Sequence, residues 1–373
     1  MKIALVRKKY ISHGGAERYL QNLIEELLET GHEVHLFANK WEITGEKVLF
    51  HRIRIVGGFS FLKVLSFAVF SYLELKKYSF DVIYSLEKTF YQDIYRAGDG
   101  CHKEWLLQRR KINPPIKNLL DLINPLHLII CHIEKKIFKK GNYRYIIANS
   151  YQGKEEIIRH YKVEPERIKV IYNGIENNSS NVDKKVIRNK LGLRNDEFTI
   201  LFVGSGFERK GLFYLIQAVR ELKNLKGEYP VKLFVLGKGK EGRYQKFIRS
   251  YNLYKDIIFL GPTKDVKEFY QAGDVLVLPS IYEPFSNVCL EAMSFGLPVI
   301  TSKINGASEI INDGKNGYIV DDPGDFKTIA LKLEILLDKE VRERVGEQAR
   351  MTVKNLTPRE NALRTIEVLS LGN

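Results

Sequence analysis

Met1-Lys-Ile-Ala-Leu-Val6 opens the chain, and Gly14-Gly15 closes the loop after it. Tyr19-Leu-Gln-Asn-Leu-Ile-Glu-Glu-Leu-Leu28 then runs to Gly31, ahead of Val34-His-Leu-Phe-Ala38. Ile3 to Val6 is an apolar run of strand length. Tyr19, Leu20, Leu23, Ile24, Leu27 and Leu28 recur at the spacing of one helix face. Gly31 stands where a helix C-cap favours glycine, and Val34, Leu36 and Ala38 alternate as a second strand. A strand–loop–helix–strand unit implies a crossover between parallel strands, so the class is α/β.

The same grammar continues outward. Strands are expected at Asp81 to Tyr84, Asp93 to Tyr95, Tyr145 to Ala148 and Ile168 to Tyr172. Asn149 or Ser150 can cap a helix reaching about Tyr161. Glu176 to Asp183 is polar and turn-prone, which suits a linker. The alternation then restarts, with strands expected at Phe198–Val203, Val231–Leu236, Ile257–Leu260, Val275–Leu278, Pro298–Thr301 and Tyr318–Val320. A last helix is expected from Pro358 to Leu371. We read two α/β domains, 1–175 and 176–355, followed by a C-terminal helix in 356–373. In open sheets of this kind ligands bind beyond the carboxyl ends of the strands, and two such domains facing each other would make a cleft.

Composition bounds the function. The 373 residues are enough for two cores, with 44% hydrophobic and 28% charged residues. Lys+Arg is 59 against Asp+Glu 45, a net charge of +14 that attracts phosphate-rich partners or serves solubility alone. Cys101, Cys131 and Cys289 are odd in number and far apart, which argues against a disulfide framework and a structural zinc site. The first apolar run ends at Arg7-Lys8-Lys9, too soon for a signal peptide, and Phe59 to Leu73 is interrupted by Lys63 and too short to span a bilayer. A cytoplasmic protein is expected.

Chemistry concentrates after strands. In Ser280-Ile-Tyr-Glu-Pro-Phe-Ser-Asn-Val-Cys-Leu-Glu-Ala-Met-Ser-Phe-Gly-Leu-Pro-Val-Ile-Thr301, a strand ends at Pro279 and Glu283 lies in the loop. Ser286 or Asn287 can cap a helix that stops at Gly296. Backbone N–H groups near Asn287 and Val288 would form a phosphate site. Glu283 and Glu291 can accept hydrogen bonds from sugar hydroxyls; the bland alternative is two solvated glutamates. Arg209 and Lys210 follow the strand Phe198–Val203 and the turn Gly204-Ser205-Gly206. Two cations there suit a diphosphate, against the alternative of surface charge at a helix start. Gly14-Gly15 is weak evidence alone, with a packing turn equally open, and Arg18 could add charge. Without a full GxGxxG, nicotinamide binding fits poorly. Asp99, in Ala97-Gly98-Asp99-Gly100, is the acidic candidate of the first domain, with a turn or capping role as its alternative. His102 reads as structural. No Asp-x-Asp metal motif is present, so no metal is expected.

Glu283-Pro-Phe-Ser-Asn-Val-Cys-Leu-Glu291 resembles the E-x7-E signature of glycosyltransferase family 4. The resemblance continues in Gly204-Ser-Gly-Phe-Glu-Arg-Lys-Gly211, Val170-Ile-Tyr-Asn-Gly-Ile175 and His13-Gly-Gly-Ala-Glu17. It implies a retaining enzyme of the GT-B fold: two Rossmann-like domains facing a deep cleft, with the C-terminal helix returning to the first. Within that family, Arg96-Ala-Gly-Asp-Gly-Cys101 and Glu164-Pro-Glu-Arg167 are similar to the lipopolysaccharide core glucosyltransferases. The resemblance places Arg209 and Lys210 on the donor diphosphate, Gly14 and Gly15 against its phosphate, and Asp99 at the reaction centre. It implies a nucleotide-sugar substrate, UDP-glucose by our reading with GDP, ADP and another hexose left open, and no separate cofactor. The acceptor would be a lipopolysaccharide core, a polysaccharide or a lipid-linked sugar.

Residues 101–144 interleave Arg109, Arg110, Lys111, Lys117, Lys135, Lys136, Lys139, Lys140 and Arg144 with the apolar runs Leu119 to Leu122 and Leu126 to Ile130. Such a segment reads as a helical surface for anionic membrane, or as an ordinary solvated helical excursion. Peripheral attachment to the inner face of the cytoplasmic membrane is expected. The rival classes are a nucleic-acid-binding protein, for which no reading motif is found, and a nucleotide-sugar epimerase, which would convert donor without any acceptor.

Overall fold

A computed structural model describes residues 1–9, 15–40, 47–178, 183–227, 229–263 and 265–371, without the side chains of 15–18. The chain divides into two compact units, Met1–Gly174 with Pro358–Asn373, and Ile175–Thr357.

The first unit runs β1 (Lys2–Val6), α1 (Gly15–Glu29), β2 (Glu33–Ala38), β3 (Val48–Arg52), α2 (Ser60–Leu75), β4 (Val82–Ser85) and β5 (Ile94–Arg96). Three consecutive helices follow, α3 (His102–Ile112), α4 (Pro115–Ile123) and α5 (Pro125–Ile137). Then come β6 (Tyr145–Ala148), α6 (Tyr151–Tyr161) and β7 (Ile168–Val170). The strands form one parallel sheet in the order β3-β2-β1-β4-β5-β6-β7. Ile3, Leu5, Val34, Leu36, Val82 and Tyr84 are fully buried, because strands covered on both faces carry apolar residues almost continuously. Leu20, Leu23 and Leu27 fix α1 on this core. Ser150 caps α6 by accepting from the Gly153 amide at 2.9 Å. β5 starts one residue later than expected, and β7 stops at Val170 rather than Tyr172. β3 has half-exposed residues and no alternation, which left no sequence signal.

The second unit runs α7 (Lys184–Lys190), β8 (Phe198–Val203), α8 (Leu212–Lys226), β9 (Val231–Leu236), α9 (Gly242–Ser250), β10 (Ile257–Gly261) and α10 (Val266–Ala272). It continues with β11 (Val275–Leu278), α11 (Asn287–Ser294), β12 (Val299–Ser302), β13 (Tyr318–Val320), α12 (Phe326–Ile335) and α13 (Lys339–Val353). Its parallel sheet has the order β10-β9-β8-β11-β12-β13. Buried Asp274, just before β11, holds α7 and α13 to this sheet. Its carboxylate meets Lys184 Nζ at 2.8 Å, Arg188 Nη1 at 3.3 Å and Arg342 Nε at 3.4 Å, and accepts from the Thr199 amide at 2.8 Å. The last helix, α14 (Pro358–Ser370), belongs to the first unit, where Thr365 Oγ1 lies 3.3 Å from Tyr19 Oη.

Strand order reverses once in each sheet, at β1/β4 in the first and β8/β11 in the second. Loops leaving the carboxyl ends of such a strand pair diverge to opposite faces and open a crevice for ligand.

Candidate donor-binding site

The β8/β11 crevice gathers the residues singled out in the second half of the sequence. Arg209 and Lys210 lie in the loop after β8, and Glu283 in the loop after β11. Glu283 Oε2 accepts from Arg209 Nη1 at 2.8 Å and from Lys210 Nζ at 3.0 Å. Arg209 Nη1 also donates to the Tyr282 carbonyl at 3.1 Å, and the Ile281 amide donates to the Arg209 carbonyl at 2.8 Å. The two loops are therefore stitched together by backbone as well as by charge. Lys210 and Glu283 are buried, while a third of the Arg209 side chain is exposed.

Two glycines make this approach possible. A Cβ at Gly204, whose φ is +129°, would stand 2.5 Å from Lys210 Cε, so only hydrogen leaves room for the lysine stem. At Gly211, φ is +78° and a Cβ would lie 1.9 Å from the Pro279 carbonyl oxygen. The loop after β8 thus packs backbone-to-backbone on the end of β11.

Asn287 and Val288 open α11 at the same crevice, and Glu291 lies one turn on. First-turn amides of a helix have no carbonyl of a preceding turn to bond, and they carry its positive dipole end. Ser286 takes the N-cap position, but its hydroxyl makes no capping bond. Glu291 Oε2 accepts from Tyr270 Oη at 3.0 Å, and the Tyr270 ring stacks on Phe295 with centroids 5.6 Å apart. Tyr270 escaped the sequence reading because it sits 21 residues upstream on α10, with no local pattern joining it to Glu291. Asn305 and Gly306 also escaped; the Gly306 amide fixes the Glu283 carbonyl at 2.9 Å.

The remaining candidates lie in the first unit. Gly14 is outside the described residues, and Gly15 is the first residue of α1. Asp99 occupies an exposed turn after β5. Nearby, Arg7 Nη1 and Glu87 Oε1 are 3.2 Å apart across the β1/β4 crevice. Burial pushes the Glu87 carboxyl up, with Asp99 adding to the rise against Arg7. His102 is held in a side-chain chain: its Nε2 lies 3.1 Å from His127 Nδ1, and its amide donates to buried Glu134 at 2.8 Å. Burial, with Lys88 nearby, lowers the His102 imidazole to about 3, so the ring is neutral at physiological pH. Among the described residues no group of three or more His, Cys, Asp or Glu could hold a metal ion.

The basic middle forms α3, α4 and α5. α4 buries none of its residues, and Ile116, Leu119, Leu120, Leu122 and Ile123 are each more than half exposed. Arg109 on α3 pairs with Asp121 on α4 at 3.2 Å. No single helix among the described residues is long and apolar enough to cross a membrane. The pair α4 and α5 reaches that length and composition only together, bent by 61°.

Known proteins share these features. Residues 13–178 match the glycosyltransferase family 4 description, and residues 183–352 match glycosyl transferases group 1. The lipopolysaccharide glucosyltransferase WaaG of Escherichia coli K12 is 24% identical over 330 residues, covering 87% of this chain and 86% of WaaG. The crystal structure of WaaG, a glycosyltransferase involved in lipopolysaccharide biosynthesis, superposes with a TM-score of 0.85 at 22% identity, covering 98% of this chain and 99% of that one. Anabaena Alr3699/HepE in complex with UDP and glucose gives a TM-score of 0.71 at 19% identity, each chain covered to 99%.

Proposed function

This chain belongs to the family 4 glycosyltransferases of GT-B fold, and from that premise we propose that it moves glucose from UDP-glucose to a saccharide acceptor with retention and without a metal. The observation that carries the reading is the triad Arg209, Lys210 and Glu283 at the strand-order reversal of the second sheet, beside the start of α11.

When a nucleoside diphosphate leaves a sugar carbon, negative charge grows on its oxygens. Arg209, Lys210 and the amides around Asn287 and Val288 would meet that charge, and such fixed donors usually supply the largest catalytic contribution. They would replace the divalent ion of a metal-dependent enzyme. Glu283 is engaged by both cations in this structure. Diphosphate binding would draw the cations onto phosphate and turn the carboxylate toward the sugar hydroxyls. Glu291, oriented by Tyr270, would hold the ribose. The departing phosphate would take the proton of the acceptor hydroxyl on the same face, which preserves the anomeric configuration. Asp99 would serve the reaction centre from the first unit, where we place the acceptor.

UDP is proposed because HepE, of the same fold, is described in complex with UDP and glucose. A lipopolysaccharide-core or lipid-linked acceptor is proposed from the relation to WaaG and from the exposed apolar face of α4 with its neighbouring cations. That face suits peripheral binding to anionic lipid on the cytoplasmic side.

The test is a thermal-shift panel of UDP, GDP and ADP sugars, followed by NMR of the product anomer with and without a chelator. Stabilisation by UDP-glucose, an α-linked product and indifference to chelation are expected. An inverted product removes retention, loss of turnover with chelator removes metal independence, and no response to any nucleotide removes the donor site.

A further inference from the structure

Arg96, the last residue of β5, lies on the carboxyl edge of the first sheet and is only 5% exposed. Its guanidinium stacks on Tyr19, with Cζ 3.9 Å from the ring centroid, and Nη2 donates to Asn173 Oδ1 at 2.8 Å. The Tyr19 and Tyr84 hydroxyls face the guanidinium and favour its charge, but among the described residues no carboxylate pairs with it, and Nη1 has no hydrogen-bond partner. A buried cation ordinarily carries a counter-charge, since desolvation without one is costly. Among the described residues the one other arginine buried to this degree obeys that rule: Arg188 meets Asp274.

A second unsatisfied atom lies on the next strand end. Asn149 follows β6, which pairs with β5 through Arg96 and Ile147. Asn149 Nδ2 donates to the Gly98 carbonyl at 3.0 Å, whereas its buried Oδ1 has no partner among the described residues. Gly98 lies against both side chains: its carbonyl takes the Asn149 amide, and a Cβ on it would stand 3.9 Å from Arg96 Nε. A cation wanting an anion beside a carbonyl wanting a hydroxyl describes an anionic sugar.

We propose that Arg96 and Asn149 form a binding site for an anionic sugar, with a phosphate or carboxylate on Arg96 Nη1 and a hydroxyl donating to Asn149 Oδ1. The site rests on the glycosyltransferase reading, and it makes the acceptor an anionic saccharide. Nη1 is shielded in this structure, so binding includes a local displacement of the groups that cover it.

The test is calorimetry on the full chain with saturating UDP, which occupies Arg209 and Lys210. Glucose 6-phosphate, glucuronate and glucose are the probes. At least one of the two anions should bind while glucose does not, and the comparison between them tells phosphate from carboxylate. Arg96→Gln should weaken the bound anion about tenfold or more and leave UDP affinity unchanged. Asn149→Ala should weaken the anionic sugar severalfold without affecting inorganic phosphate. If neither anion binds the wild-type protein, or if folded Arg96→Gln binds it equally well, the site is wrong while the UDP result still stands. Should Arg96→Gln fail to fold, wild-type crystals soaked with glucose 6-phosphate decide: phosphate within hydrogen-bonding distance of Arg96 supports the site, and phosphate elsewhere alone overturns it. Absence of UDP binding would instead remove the donor reading.

Discussion

The carboxyl edges of the two sheets handle buried charge in opposite ways. In the second unit Arg209 and Lys210 share the Glu283 carboxylate, so each cation has an internal partner while the cluster keeps one net positive charge. In the first unit Arg96 has the Tyr19 ring, the Tyr84 hydroxyl and an asparagine oxygen but, among the described residues, no carboxylate. A matched cluster is stable before substrate arrives, and ligand must exchange with an internal partner. An unmatched cation stores a deficit that ligand can relieve. The first arrangement suits a diphosphate that binds and leaves in every cycle, and the second suits recognition of one particular charge.

The contrast breaks most visibly where a matched charge is removed outright. Asp274→Asn strands Arg188, Lys184 and Arg342, and is expected to destabilise the protein by about 3–5 kcal/mol in urea titration. Burial alone would raise the Asp274 carboxyl, but Lys184, the Thr199 amide and Arg342 bring it below the ordinary carboxylate value. Its folded pKa being depressed, its contribution is present above the unfolded value of about 4 and is lost as pH falls through the lower folded value. The variant should therefore show a flatter loss of stability in acid than the wild type.

Lys210→Ala removes one cation of the matched site and leaves Glu283 with Arg209. Turnover, followed as UDP released with acceptor present, should fall about 10²–10³-fold. Ordinary turnover in this variant would mean that the matched cluster is scaffolding. Glu291→Ala should weaken UDP binding about tenfold or more through the ribose, with a smaller effect on 2′,3′-dideoxy-UDP. Equal losses with both nucleotides would detach Glu291 from the ribose.

The smallest expected effect concerns the exposed basic helices, where charge faces solvent. Replacing Arg110 and Lys111 with glutamine should weaken binding to phosphatidylglycerol vesicles by roughly fivefold per charge at low salt. The difference should shrink as salt rises. Salt-independent absence of vesicle binding in the wild type would leave α4 without a lipid partner.

Much of the fold was legible because its signals are local. Leu20, Leu23 and Leu27 reveal α1 by spacing alone, and unbroken apolar runs such as Phe198–Val203 reveal strands buried on both faces. The strand β3 was missed because its side chains are half exposed and show no alternation. The site was legible in part for the same reason: Arg209, Lys210, Glu283 and Glu291 sit in short motifs after strands. That Glu283 would be engaged by both cations was not legible, since 73 or 74 residues separate the partners. Ser286 takes one of the two expected cap positions without the capping bond, an orientation of its hydroxyl that no neighbouring residue announces.

Alone, the sequence determined the α/β class, the alternation of strands and helices, and the residue types able to grip a diphosphate. These follow from periodicity, glycine placement and side-chain chemistry, all of which act within a few residues. Only the tertiary structure decided which charges are matched, that Tyr270 steers Glu291, and that Arg96 stands without a carboxylate. Those are properties of strand order: parallel crossovers bring together loops far apart in the chain, and whether a buried charge finds a partner depends on what arrives from the neighbouring strand.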